Sequence, residues 1–316
     1  MVTKFFRFGH TDICIKMPDE MKYPANFEKF RVEETDKCIQ YTLTFAEDIN
    51  QIAKDLLDKK QNGFCEVVRE NLHVFYMNRE VPGTSGEMEC LSGDSAMKPM
   101  DELCECRFII FAGAGKPYGI SMQRDKFHYQ VWVDQEIREM LAFDTIFTSL
   151  FSLEKHVIRD GSLILHSAYM CWNDSAVLFS APSETGKSTQ ANLWEKYRHT
   201  YTVNGDRSLL VRDENGWMAY GWPVCGSSEI CHNEVHPVHS IVMLRQAKEN
   251  RVYRINGLRA LREVMEQITI NSWNREFQMK AMDQLELLLR EVPVYCLECD
   301  ISEEAVACLE KELTAG

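Results

Sequence analysis

Thr185-Gly186-Lys187-Ser188-Thr189 sets a lysine and two hydroxyls directly behind a glycine. Those types in that order suit phosphate binding. Backbone N–H groups can turn toward one anion, a lysine can reach β- and γ-phosphates, and a hydroxyl can hold Mg²⁺. The surrounding stretch, 177–194, reads VLFSAPSETGKSTQANLW. It departs from G-x-x-x-x-G-K-[ST] at the first position, where Ala181 replaces glycine, and Glu184 is also foreign to a glycine-rich loop. Alanine is acceptable at that first position when its φ is negative. The candidate nucleotide ligands are Ser183, Glu184, Thr185, Gly186, Lys187, Ser188 and Thr189.

A phosphate loop needs a strand before it and a helix behind it, and the flanks predict both. Apolar runs at 162–172 and 175–181 enclose Asn173-Asp174, the signal of a tight hairpin. The second run enters the loop, and the residues after Lys187 continue with Ala191, Trp194 and Tyr197 on one helical side. Further on, strands are expected to end at VNGDR (203–207), to form a hairpin around 213–216, and to run over 240–247 and 292–298. Helices are expected over 258–271, 275–290 and 302–313, the last with Glu303 and Glu304 in its first turn. Upstream, 4–16, 37–45, 64–76 and 105–134 read as β structure, 45–59 and 136–154 as helices, and 78–102 as a turn-rich connection.

LHSAYMCWNDSAVLFSAPSETGKST resembles the core of HPr kinase/phosphorylase and its relatives, which share the phosphoenolpyruvate-carboxykinase type of nucleotide fold. His166 lies 15 residues before Ala181, and Asp206 of NGDR follows Lys187 by 19, both as in that family. The resemblance covers about 161–255, including WMAYGWPVCGSSEICHNEVHPVHSIVMLRQAKEN, and more loosely VPVYCLECDISEEAVACLEKEL. The residue pattern predicts an α/β (α+β) chain with an N-terminal α+β region over 1–155, and the resemblance implies a P-loop domain with a mixed sheet over 156–316. It further implies an ATP-dependent kinase (ATP or another nucleoside triphosphate, with Mg²⁺) acting on a hydroxyl of a peptide, protein or small molecule. Some relatives are tailoring kinases that phosphorylate lasso-peptide precursors. By position Lys187 holds phosphates, Ser188 and Asp206 take the metal, and Asp206 or His166 assists the acceptor. Where the family has two adjacent aspartates this chain has Gly205-Asp206. That departure leaves open a nucleotide-sensing accessory protein without transfer activity, or a plain nucleotide hydrolase.

Composition narrows the partners. With 35 Lys and Arg against 48 Asp and Glu, a net charge of −13 disfavours nucleic-acid backbones. No uncharged apolar run reaches the ~18 residues of a membrane span, and the N-terminus lacks a signal-peptide core, so a cytoplasmic protein is expected. A homo-oligomer is compatible with the sequence. The 12 cysteines then read as reduced, mostly buried thiols, Cys296 and Cys299 pointing to opposite faces of a strand. His232, His236 and His239 with Cys225 and Cys231 resemble a metal cluster, but Pro237 opposes the helix that would align them. FAGAGKPYG (111–119) mimics a phosphate loop without its spacing and reads as a bend between strands.

Overall fold

The computed structural model describes residues 1–79 and 103–315 and divides into two compact units. The first comprises Met1–Phe5, Asp12–Tyr23 and Glu33–Phe151. The second comprises Phe6–Thr11, Pro24–Val32 and Ser152–Gly316. Of the turn-rich connection expected over 78–102, all from 80 onward lies outside the described residues.

One eight-stranded sheet is built from β1 (Val2–Phe8), β2 (Thr11–Met17), β3 (Ile39–Ala46), β4 (Val67–Arg69), β5 (Leu72–Asn78), β6 (Leu103–Ile110), β7 (Pro117–Gln123) and β8 (His128–Asp134). Its order is β1-β2-β3-β8-β7-β6-β5-β4, with β3 parallel to β2 and β8 and the hairpins from β8 to β4 antiparallel. Helix α1 (Ile49–Leu57) is capped by the Asp48 carboxylate, which accepts from the Asn50 and Gln51 N–H groups. Its apolar stripe, Ile49, Ala53 and Leu56, packs with Phe75, Cys106, Phe108 and Ile120 from the sheet. The bend expected at 111–119 is the β6–β7 turn, where Lys116 pairs with Asp134 at 3.1 Å and Glu136 at 2.8 Å.

The single helix expected over 136–154 is broken into two 3₁₀ turns, Gln135–Ile137 and Met140–Ala142, and the short α2 (Asp144–Ser149). Its apolar residues do not share one fate: Leu141, Phe147, Leu150 and Phe151 are buried, whereas Met140 and Phe143 are exposed. Phe143 is extended, and aromatic and β-branched residues around Asp144 give little helix propensity to bridge the break.

The second unit begins with α3 (Leu153–Arg159), then β9 (Leu163–Trp172), β10 (Ser175–Ser180), α4 (Lys187–Arg198), β11 (Tyr201–Asn204), β12 (Arg207–Asp213) and β13 (Gly216–Tyr220). β14 (Val235–Gln246), β15 (Arg251–Ile255), α5 (Gly257–Met265), α6 (Arg275–Glu291), β16 (Val294–Cys299) and α7 (Glu303–Ala315) complete it. Pairings β10–β9–β12–β13–β14 return to β10, because β14 joins β13 through 235–237 and β10, in parallel, from 238 onward. β16 and β15 extend the sheet beyond β14. Asn173 and Asp174 carry φ of 49° and 56°, the conformation a two-residue hairpin turn requires.

α5 stops at Met265, short of the expected 271, because the next backbone groups are used by the sheet. His166 N–H donates to Gln267 O and Thr269 N–H to Ile164 O, both at 2.9 Å, closing the edge of β9 that β10 leaves open. One sheet face buries Leu165, Leu178 and Met243 with α5 and α6 residues; the other buries Val177, Phe179 and Val242 with α4 and α7 residues. Cys296 falls in the first cluster and Cys299 in the second, on opposite faces of β16. Trp194 is the largest side chain α4 buries and fixes that helix, and so the loop before it, to the sheet. Trp194→Ala should lower unfolding stability by about 3–5 kcal/mol in urea titrations, while Trp194→Phe keeps most of it.

Candidate phosphate-binding site

The loop from Ala181 to Gly186 joins the end of β10 to α4. Ala181 is fully buried among Phe179, Ala191 and Trp194, so at this position the methyl is a packing group. Glu184 takes φ +64° and Gly186, the N-cap of α4, φ +115°. No side-chain hydrogen bond caps the N-terminus of α4, so no capping side chain satisfies its first-turn N–H groups. Ser183, Glu184, Ser188 and Thr189 are exposed, Thr185 and Gly186 partly so.

Lys187 is the exception, only 7% exposed. Its ammonium donates to Ala181 O at 3.0 Å and Pro182 O at 3.4 Å, folding back across the loop that precedes it. Burial pushes its pKa below the ordinary value of 10.5; Asp206 opposes that shift and Arg207 adds to it. Both groups therefore lie within electrostatic reach of the loop lysine.

The structure brings His166, Asp206 and Arg207 together because β9 and β12 pair antiparallel with His166 opposite Arg207. His166 Nε2 lies 3.3 Å from Asp206 Oδ1, and Arg207 Nε 3.2 Å from Oδ2. Burial alone would raise the Asp206 pKa, but the His166 hydrogen bond and the Arg207, His166 and Lys187 charges outweigh it, and the carboxyl is held below its ordinary 3.8.

Four residues that shape this arrangement were not singled out from the sequence. Asn204 is fully buried; its Oδ1 accepts from the Asp206 and Arg207 N–H groups at 2.9 and 2.8 Å, and its Nδ2 donates to Trp222 O and Val224 O. Thr269 Oγ1 accepts from Arg207 Nη1 at 2.9 Å. Gly226, at φ +58°, leaves room for the Asp206 carboxyl; a Cβ there would stand 3.2 Å from its Cγ. A Cβ on Gly205 would overlap the Ser228 side chain, whose hydroxyl donates to Cys225 O at 2.7 Å. The Asn-Gly pair was visible as a turn signal; the partners of that turn, 18 or more residues away, were not.

The remaining candidates fall elsewhere. His236 Nδ1 is 2.6 Å from Tyr169 Oη, His239 packs edge-on against Trp172, and His232 is exposed. Among the described residues no group of three or more His, Cys, Asp and Glu is placed to hold a metal ion. Glu229, at φ +56°, is exposed, while Trp217 and Trp222 are buried in the core. No helix among the described residues is long and apolar enough to cross a membrane.

The depressed Asp206 carboxyl makes a pH prediction. Its charge stabilises the fold fully above the ordinary value near 3.8, and that contribution disappears as pH falls through the lower folded value. The melting temperature of wild type should therefore exceed that of Asp206→Asn at neutral pH, with the gap closing below about pH 4 in a calorimetric pH series.

A search of curated proteins returned no match. Among solved structures, the HPr(Ser) kinase/phosphatase from Coxiella burnetii aligns with 48% of this chain and 97% of its own, at 12% identity and a TM-score of 0.28. The model of the family described as SynChlorMet cassette protein ScmC matches residues 133–314, which hold the loop, His166, Asp206 and Arg207. The chain belongs to the ScmC family.

Proposed function

We propose that the protein is a nucleoside-triphosphate-dependent kinase that phosphorylates a hydroxyl, with serine as the expected acceptor side chain. The observation that carries this reading is the buried Lys187 folded over the loop within electrostatic reach of Asp206. A lysine buried at a helix N-terminus has no structural need of its charge; a polyphosphate supplies that need.

In this reading the loop amides and Lys187 bind the β- and γ-phosphates. Ser188 and Asp206 offer hard oxygen donors suited to Mg²⁺, which takes few protein ligands and completes its shell with phosphates and water. Bound there, Mg²⁺ would neutralise phosphate charge. The acceptor oxygen attacks the γ-phosphorus, the bond to the β,γ-bridging oxygen breaks, and the nucleoside diphosphate leaves with that electron pair. The hydroxyl proton passes to Asp206. A carboxylate of low pKa is a weak base, but in a loose phosphoryl-transfer transition state little covalent work falls to the protein. His166 and Arg207 orient the carboxylate, and Asn204 holds its backbone.

One observation favours a second reading, a nucleotide binder without transfer. Gly205 occupies the place of the second acid, and the Asp206 oxygens are already engaged by the His166 imidazole and the Arg207 guanidinium.

Calorimetry with Mg²⁺ and ATP or GTP separates these outcomes. Lys187→Ala should weaken nucleotide binding about 10- to 100-fold, the worth of charge-assisted hydrogen bonds. Wild type that binds no Mg-nucleotide, or a variant that binds equally well, overturns the reading. Asp206→Asn should retain nucleotide binding and lose about 10²–10⁴ in transfer rate; a nucleotide-binding wild type with no transfer to any hydroxyl peptide supports the binder. Lys187→Met, which keeps the apolar stem and removes the buried charge, should leave the ligand-free melting temperature unchanged or raised. A fall of several degrees would mark Lys187 as a structural residue.

A further inference from the structure

The chain carries a net charge of −13, yet residues 245–263 hold six cationic side chains and two acidic ones. The fold concentrates four of these arginines around one surface. Arg245 on β14 and Arg259 on α5 both reach Glu263 Oε1, at 2.6 and 2.9 Å. Arg251 and Arg259 lie 5.2 and 5.1 Å from the centre of the Tyr253 ring, whose hydroxyl donates to Glu298. Arg262, one turn on from Arg259, is exposed and meets no acidic side chain among the described residues. Leu258, four residues before it on α5, is 85% exposed. Beside them β15 ends the sheet: it pairs with β16, and its other edge has no strand partner among the described residues.

This surface adjoins the phosphate loop. Arg245 lies two residues beyond Met243, the partner of Ser180 at the end of β10, and the neighbouring Gln246 donates to Thr185 O at 3.2 Å. From the C-terminal end of α5 the chain runs directly to Gln267 and Thr269, which bond His166 and Arg207.

We propose that β15 and the exposed face of α5 dock an extended acidic segment of a peptide or protein acceptor. Its carboxylates face Arg245, Arg251, Arg259 and Arg262, an apolar side chain covers Leu258, and its backbone can use the open edge of β15. Six cations against two acids over 245–263 run counter to the chain's net negative charge and suit an acidic partner. An open strand edge suits a polypeptide, since neither a lipid headgroup nor a nucleic acid pairs with it. The proposal deepens the kinase reading and rests on it for the segment's role as acceptor, though docking itself needs no nucleotide.

The test is fluorescence anisotropy with the full chain and no nucleotide. The probe is a labelled 14-residue peptide of Glu, Asp and Leu around one Ser; the control replaces every acid with Lys. Wild type should bind the acidic peptide, ever more weakly as salt rises, and not the basic one. Arg251→Glu with Arg262→Glu should weaken binding about tenfold or more at low salt, and Leu258→Asp should weaken it further. Both variants should keep the wild-type melting temperature and Mg-nucleotide affinity. Equal binding of the two peptides, indifference to charge reversal, or stronger binding to phosphatidylserine vesicles than to the peptide overturns the proposal. Such a failure leaves the nucleotide assays on Lys187 untouched, and failure of those assays leaves this one readable.

Discussion

Burying a lysine charge beneath a loop is the constraint around which the second unit is arranged. Lys187 loses most of its water, and two loop carbonyls with one nearby carboxylate offset only part of that loss. The carboxylate must therefore stay ionised and stay close. His166 and Arg207 keep Asp206 charged, and they can do so because antiparallel pairing of β9 with β12 puts them opposite one another. The electrostatics of the loop thus depends on strand register. A one-residue slip of β12 would turn Arg207 to the other face and take the guanidinium from the half-buried Asp206.

Asn204 turns that register into a fixed turn. A carboxamide can accept two backbone N–H groups and donate to two carbonyls, and Asn204 does both while wholly buried. One side chain therefore ties the 206–207 backbone to the 222–224 segment that leads into Gly226. Serine could not span both sides, and aspartate would have no donor for the carbonyls. The same economy appears at β9, whose edge is completed by three residues after α5 rather than by a further strand.

What the sequence revealed, and what it hid, divides by chain distance. The loop, the Asn173-Asp174 turn and α4 were legible because each is specified within a dozen consecutive residues whose types answer a local geometric need. His166 and Asp206 were legible only through resemblance, since no local rule joins residues 40 apart. Asn204, Gly226 and Thr269 were missed because their roles exist only once segments 18 to 62 residues apart are brought together. The overlong helices at 136–154 and 258–271 failed for a related reason. Apolar spacing records which residues are buried but not where the backbone hydrogen bonds go. At 267–269 they go to β9.

Gly205 shows how this bears on function. Taken as sequence alone, a glycine in place of an acid looks like loss of a catalytic group. In the fold, the space a side chain would need is filled by Ser228, whose hydroxyl is bonded to Cys225 O, and Gly205 N–H itself donates to Ile230 O at 3.3 Å. The absent acid is thus part of a packed arrangement in which the 225–231 segment closes over the turn, with Gly226 set against the one remaining carboxylate. Restoring an aspartate would displace that segment before adding any base. The turn thus holds one carboxylate by two means: His166 and Arg207 engage its oxygens, and Asn204 accepts from its backbone N–H.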